Sequence, residues 1–196
     1  MKRLIILSLL ALTAAVADQA QTPQQWRDSL SHLNRMIEAQ PGSTDLRLRK
    51  AAVNIELQQW EYAAEEYGRV LAIDADNVAA RYFRAYALVH LRQYAEARAD
   101  YEQILNMLPR HMESRLGLAA VHDFMGHRRQ ADEYNLLVEM FPDSAVCYAA
   151  RAAFETTHEQ YELAAYDWEE ATRREPENAG YRASLAEVRR NLKRGR

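Results

Sequence analysis

Three base–acid pairs recur at one separation in this chain: Lys50 and Glu66, Arg84 and Asp100, Arg151 and Asp167, each 16 residues apart. A base held against an acid can trade a proton with a substrate, or it can tie two structural elements together. Proton chemistry needs an enclosed polar pocket and a partner nucleophile or metal. The histidines, His32, His90, His111, His122, His127 and His158, show no H-E-x-x-H or other ligand spacing. His122 and Asp123 are sequence neighbours and point to different faces of a helix. There is no glycine-rich phosphate loop and no serine in a nucleophile-elbow setting. Adjacent carboxylates such as Glu65-Glu66 and Glu169-Glu170 read as helix surface and as members of the ion pairs. The pairs are therefore expected to be structural ties across helices. No catalytic residue, metal or cofactor is expected.

The elements that must position these pairs follow from a period of about 34 residues. Prolines fall at 41, 109, 142 and 176, with Ala75 in the slot between the first two. A small residue recurs as Ser29, Ala63, Ala97, Ala131 and Ala164, and an aromatic stands three before it as Trp26, Trp60, Tyr94 and Tyr161, with Arg128 in the remaining slot. A second alanine series runs Ala51, Ala85, Ala119, Ala152 and Ala186. Gly and Pro total only 11 of 196 residues, too few for an all-β fold, while helix formers abound. Each period reads as helix, short turn, helix: 44–57 and 60–74, 78–91 and 94–108, 112–125 and 128–141, 145–158 and 161–174. Before them, 24–40 matches only a second helix, and after them 179–193 matches only a first. The third period is one residue short, placed between Ala131 and Pro142, so that Leu118 and Tyr134 fall in the slots of the base and the acid. Alanine at 85 and 97 lets helix backbones approach, Tyr94 and Tyr101 flank Ala97 on one face, and Pro109 stops the helix.

The A-x3-aromatic cores Ala63…Tyr67, Ala97…Tyr101 and Ala164…Trp168, together with the closing prolines, resemble the tetratricopeptide repeat family over about 24–194. The resemblance implies an all-α, right-handed superhelical solenoid with a C-terminal capping helix. Its units are 44–77, 78–111, 112–144 and 145–178, preceded by a linker and lone second-type helix at 18–43 and followed by a cap and basic tail at 179–196. Some members of the family carry Arg and Asp in the base and acid slots. In this family the first helices line a concave groove that binds protein or peptide partners. Matching positions here include Leu48, Tyr82, Tyr86, His90, Leu116 and Phe124, with aromatics at the centre suited to an apolar helix or an extended peptide. The family's clamp for a terminal carboxylate is absent, since Leu48, Ala52 and Phe83 stand at its positions. Arg47, Arg81 and Arg115 recur at 34 and read as locally paired or solvated rather than as a stripe for an acidic partner.

Residues 1–17 carry a leader pattern: Lys2-Arg3, an apolar run from Leu4 to Leu12 broken only by Ser8, and Ala15-Val16-Ala17 as a small-x-small cut site. The protein is expected to be exported, to the periplasm or outside the cell, with no lipid-attachment cysteine. The tail 189–196 holds five bases and no acid, so 18–188 sets 18 bases against all 28 acids, a net −10. An acidic body with a basic tail does not resemble a nucleic-acid binder. The lone Cys147 excludes an internal disulfide and reads as a packed residue. The expected function is an exported scaffold for protein–protein interaction. Two alternatives stand beside it: an envelope adaptor acting through the basic tail at a membrane, and a homo-oligomer formed through the exposed side of the N-terminal helix.

Overall fold

The computed structural model describes residues 22–126 and 130–194. Within them lie ten α-helices: α1 Pro23–Ala39, α2 Thr44–Glu56, α3 Trp60–Ile73, α4 Val78–His90, α5 Tyr94–Met107, α6 Met112–Met125, α7 Gln130–Met140, α8 Ala145–Thr157, α9 Tyr161–Arg174 and α10 Ala179–Arg194. No strand occurs among the described residues, and the fold is an all-α helical repeat. The expected leader at 1–17, together with His127 and Arg128, lies outside the described residues. The chain divides into two compact units, 22–121 and the described residues from 122 onward. In each, helices adjacent in sequence pack against one another.

Local chemistry sets the helix ends. Thr22 and Gln25 form a capping box at α1, and the side chains of Ser43 and Asn77 accept from Leu46 and Ala80 backbone N–H groups at α2 and α4. Between paired helices the chain turns through one left-handed residue: Gln58 (φ 55), Arg92 (φ 61), Gly126 (φ 69) and Glu159 (φ 60). The next amide then reaches back five residues, as Gln59 to Asn54 O at 2.8 Å, Gln93 to Leu88 O at 2.9 Å and Gln160 to Glu155 O at 2.9 Å. This is the 6→1 closure of a Schellman turn. At the far end of second helices, the residue before the proline slot is extended, as Leu108 (φ −130, ψ 81) shows. Asp74, before Ala75, takes nearly the same angles (φ −131, ψ 89). The geometry of that slot therefore does not need a proline.

The alanine series are the crossing points. Ala51, Ala63, Ala85, Ala97, Ala119, Ala152 and Ala164 are all fully buried. With no side chain beyond Cβ, they let helix backbones come close and leave room for Tyr67, Tyr101 and Trp168. Cys147 is likewise buried.

The third period differs from the sequence expectation. Ala131 is exposed, although its alanine counterparts Ala63, Ala97 and Ala164 are fully buried. Tyr134 is 2 % exposed, matching Tyr67 and Tyr101 at 2 % each. Tyr134 therefore occupies the aromatic slot, and Glu133 the acid slot. The missing residue precedes 130 rather than following Ala131. The left-handed residues agree, since Gly126 lies 34 after Arg92 and Glu159 lies 33 after Gly126. The reading of Leu118 and Tyr134 as an apolar replacement for the ion pair is corrected accordingly.

Candidate partner-binding face

The three base–acid pairs are in contact. Lys50 Nζ lies 2.9 Å from Glu66 Oε1. Arg84 grips Asp100 with two parallel bonds, Nε to Oδ2 at 2.8 Å and Nη2 to Oδ1 at 2.6 Å. Arg151 grips Asp167 the same way, at 2.5 and 2.8 Å. The acids are the buried partners, at 3 %, 4 % and 1 % exposure. Charge-assisted hydrogen bonds from Asp100 and Asp167 raise the guanidinium pKa of Arg84 and Arg151. At Glu66 burial alone would raise the carboxyl, but hydrogen bonds from Lys50 and Arg47 and the charges of Lys50 and Arg69 outweigh it and bring it below its ordinary value.

The arginines that recur at 34 form a second set of ties. Arg47 donates to Pro41 O at 2.8 Å and Arg115 to Pro109 O at 3.0 Å, while Arg81 and Arg182 donate to Ala75 O and Pro176 O. Each reaches back six residues to a carbonyl beyond the preceding helix, where the dipole favours a cation. The fourth period has Tyr148 in this slot. There Arg174 supplies the bond to Pro142 O at 2.7 Å, and its guanidinium lies 3.9 Å from the Tyr148 ring centroid. Spacing marked the arginines. Arg47 and Arg81 also reach Glu66 at 2.9 Å and Asp100 at 3.5 Å, and the carbonyl acceptors left no trace in the residue types.

With the charges tied down, the first-helix face is aromatic. Five of the six expected partner-binding positions, Leu48, Tyr82, Tyr86, His90 and Leu116, belong to the first unit; Phe124, half-buried, belongs to the second. Their exposure differs. Tyr86 is 9 % and Leu116 4 % exposed, and Leu48 packs partly buried against the cluster of Ala51, Ala63 and Tyr67. Tyr82 and His90 are half-buried. His90 stacks on Trp60, with centroids 3.8 Å apart and planes 4° apart, and Tyr86 meets both rings edge-on. Burial lowers the His90 pKa, favouring the uncharged ring, and burial with the nearby Glu56 charge raises that of Tyr86. The Tyr86 hydroxyl and His90 Nε2 are buried without a hydrogen-bond partner.

The exposed aromatic of this face is Phe83, at 42 %. It stacks on Tyr67 at 5.9 Å and meets Tyr82 edge-on at 5.2 Å. Tyr82 in turn leans on Tyr101 and His111, each at 6.0 Å, and burial, followed by the charge of Glu113, pushes its hydroxyl up to about 12. Phe83 thus stands on a rigid aromatic base. The sequence reading noted it only as a departure from a carboxylate clamp. Its exposure follows from its place one residue off the packed stripe of Tyr82 and Tyr86. Among the described residues no group of three or more His, Cys, Asp or Glu side chains is placed to hold a metal ion. The surface can offer apolar contact and stacking to a partner.

Solved structures with this architecture include a thermophilic tetratricopeptide repeat protein of Thermus thermophilus, 16 % identical, with a TM-score of 0.70 over 94 % of this chain and 95 % of that one. MamA from Desulfovibrio magneticus RS-1 is 13 % identical, with a TM-score of 0.68 over 89 % and 93 %. YrrB, described as a tetratricopeptide repeat protein with an unusual peptide-binding site, is 15 % identical, with a TM-score of 0.57 over 82 % and 84 %. At these identities the likeness is one of fold. No curated protein matches the chain. The family model that matches, over residues 9–164, is the protein kinase G tetratricopeptide repeat, and the chain belongs to that family.

Proposed function

We propose that this protein is an exported, non-catalytic scaffold that holds a protein or peptide partner on the first-helix face around Phe83 and Tyr82. Tetratricopeptide repeat folds serve as protein–protein interaction scaffolds, which supplies the general role. The observation that carries the site is Phe83, 42 % exposed and braced by Tyr67 and Tyr82. An exposed aromatic held in one orientation loses little freedom on binding and gives a partner's apolar side chain a flat surface. Tyr86, His90, Leu48 and Leu116 then shape and stiffen the face, with Tyr82 at its edge. YrrB, with its peptide-binding site, offers a parallel in the same fold. Export rests on the leader pattern at 1–17.

The test is capture from the exported fraction of the source cells, with the wild type and with Tyr82→Ala/Phe83→Ala as baits. Circular dichroism would first establish equal helicity. A partner held by the wild type and lost by the double variant is the expected result. A partner held equally by both would move recognition off this face.

A further inference from the structure

A cavity of about 360 Å³ lies among α1, α2 and α3, with Asn34, Asn54, Gln59 and Tyr62 among the side chains that line it. It falls wholly within the first compact unit. Asn54 is 2 % exposed, and its Nδ2 is buried with no hydrogen-bond partner. A buried amide donor left unpaired costs stability. The repeat does not require an amide at this position. One period on, the slot holds Leu88, 9 % exposed. In the second unit it holds Glu155, whose Oε2 is likewise buried without a partner. Leucine would fill the space at 54, so packing gives no reason for the amide. A lone donor lining a cavity calls for an acceptor from outside the fold.

The other lining groups narrow what can supply that acceptor. Lys50 and Arg69 line the cavity, and both are engaged. Lys50 Nζ lies 2.9 Å from Glu66 Oε1, and Arg69 lies 2.6 Å from Glu65 Oε1 and 2.7 Å from Glu66 Oε1. Two cations against two acids leave no net charge to draw an ion. A sugar hydroxyl brings a donor with its acceptor, whereas a peptide carbonyl is an acceptor alone. The N–H groups that accompany such a carbonyl can be taken by the exposed amide side chains of Asn34 and Gln59. Tyr62, 61 % exposed, adds a ring for a small apolar side chain. We infer that this cavity binds a short, uncharged stretch of extended polypeptide by its main chain, with Asn54 Nδ2 donating to a peptide carbonyl. This goes beyond the partner-binding reading, which rests on α4, and shares no residue with it.

The test is an NMR titration of the full-length chain with a blocked trialanine, N-acetylated and closed by an N-methylamide. The signals followed are the Asn54 side-chain amide and the Tyr62 ring. The expected result is a saturable shift at both, with binding about tenfold weaker in Asn54→Leu. Phe83→Ala should bind the peptide as the wild type does, which separates this site from the α4 face. Tyr62→Ala changes only an exposed side chain and should also weaken binding. No saturable shift in the wild type, or equal affinity in Asn54→Leu, would overturn the inference. Saturation by methyl glucoside or by acetate in place of the peptide would overturn it too, and would assign the cavity to a sugar or to an anion.

Discussion

Glu66 and Glu155 are both buried glutamates, one in each compact unit, and their carboxyl pKa values are shifted in opposite directions. Glu66, 3 % exposed, receives Lys50, Arg47 and Arg69 within 2.9 Å, and its carboxyl pKa is lowered. Glu155 is 7 % exposed, and its Oε2 has no hydrogen-bond partner. Burial, and then the charge of Asp167, push it up to about 7 against a weaker opposing pull from Arg151. Arg151 is already spent on Asp167. The two sit at different repeat positions, Glu66 in the acid slot it shares with Asp100 and Asp167 and Glu155 at the first-helix position of Asn54. The difference teaches that the cations reaching a buried acid set the direction of its pKa shift.

The largest effect should come from removing the one cation that bridges a buried acid among the described residues. Arg151→Ala leaves Asp167 buried and uncompensated, and should destabilise the protein by about 3–5 kcal/mol. Lys50→Ala should cost well under half of that, because Arg47 and Arg69 remain on Glu66. Chemical denaturation of both variants reads the ratio. Equal losses would break the argument from cation number.

Next come two overpacking changes. A Cβ on Gly117 would lie 2.4 Å from Tyr101 Cζ, and the Tyr101 ring is buried. Gly117→Ala and Ala97→Leu should each cost roughly 1–3 kcal/mol in the same assay. A midpoint matching the wild type would contradict the packing described for these crossings.

Glu155 sharpens the comparison through pH. Its folded pKa, about 7, lies above the ordinary 4.5, so the folded state holds its proton more tightly than the unfolded one. The stability this contributes is present below pH 4.5 and is lost as pH rises through 7. Glu155→Gln should therefore flatten the fall in melting temperature between pH 4.5 and 7, and raise the melting temperature at pH 8 relative to wild type. An unchanged slope would show that Glu155 is ionised throughout. The smallest effects are expected at the turns: Gln58→Gly or Glu159→Gly relieves a left-handed residue and should stabilise by about 0.5–1 kcal/mol.

Much of the fold was legible because the period appears in several residue types at once. The alanine series and the proline slots place the described helix ends within one or two residues of those observed. The short third period was misplaced because Ala131 imitates the small-residue slot. Gly126, alone among the left-handed turn residues in being a glycine, was the available signal that the register still held at that point. The ion pairs were legible because both partners are charged and 16 apart. The binding face was less so. Position along a first helix does not say whether a side chain is buried by the helices beside it, and so Tyr86 and Leu116 looked like Tyr82 while Phe83 stood out only as a departure from the carboxylate clamp.

The most direct test of the account is a hydrogen-exchange footprint of the captured complex, compared residue by residue with the free protein. Protection confined to α4 around Tyr82, Phe83 and Tyr86, with neighbouring positions on α2 and α6, is the predicted result. Protection on α10 and the basic tail, with α4 unchanged, would contradict it and place recognition at the other end of the chain.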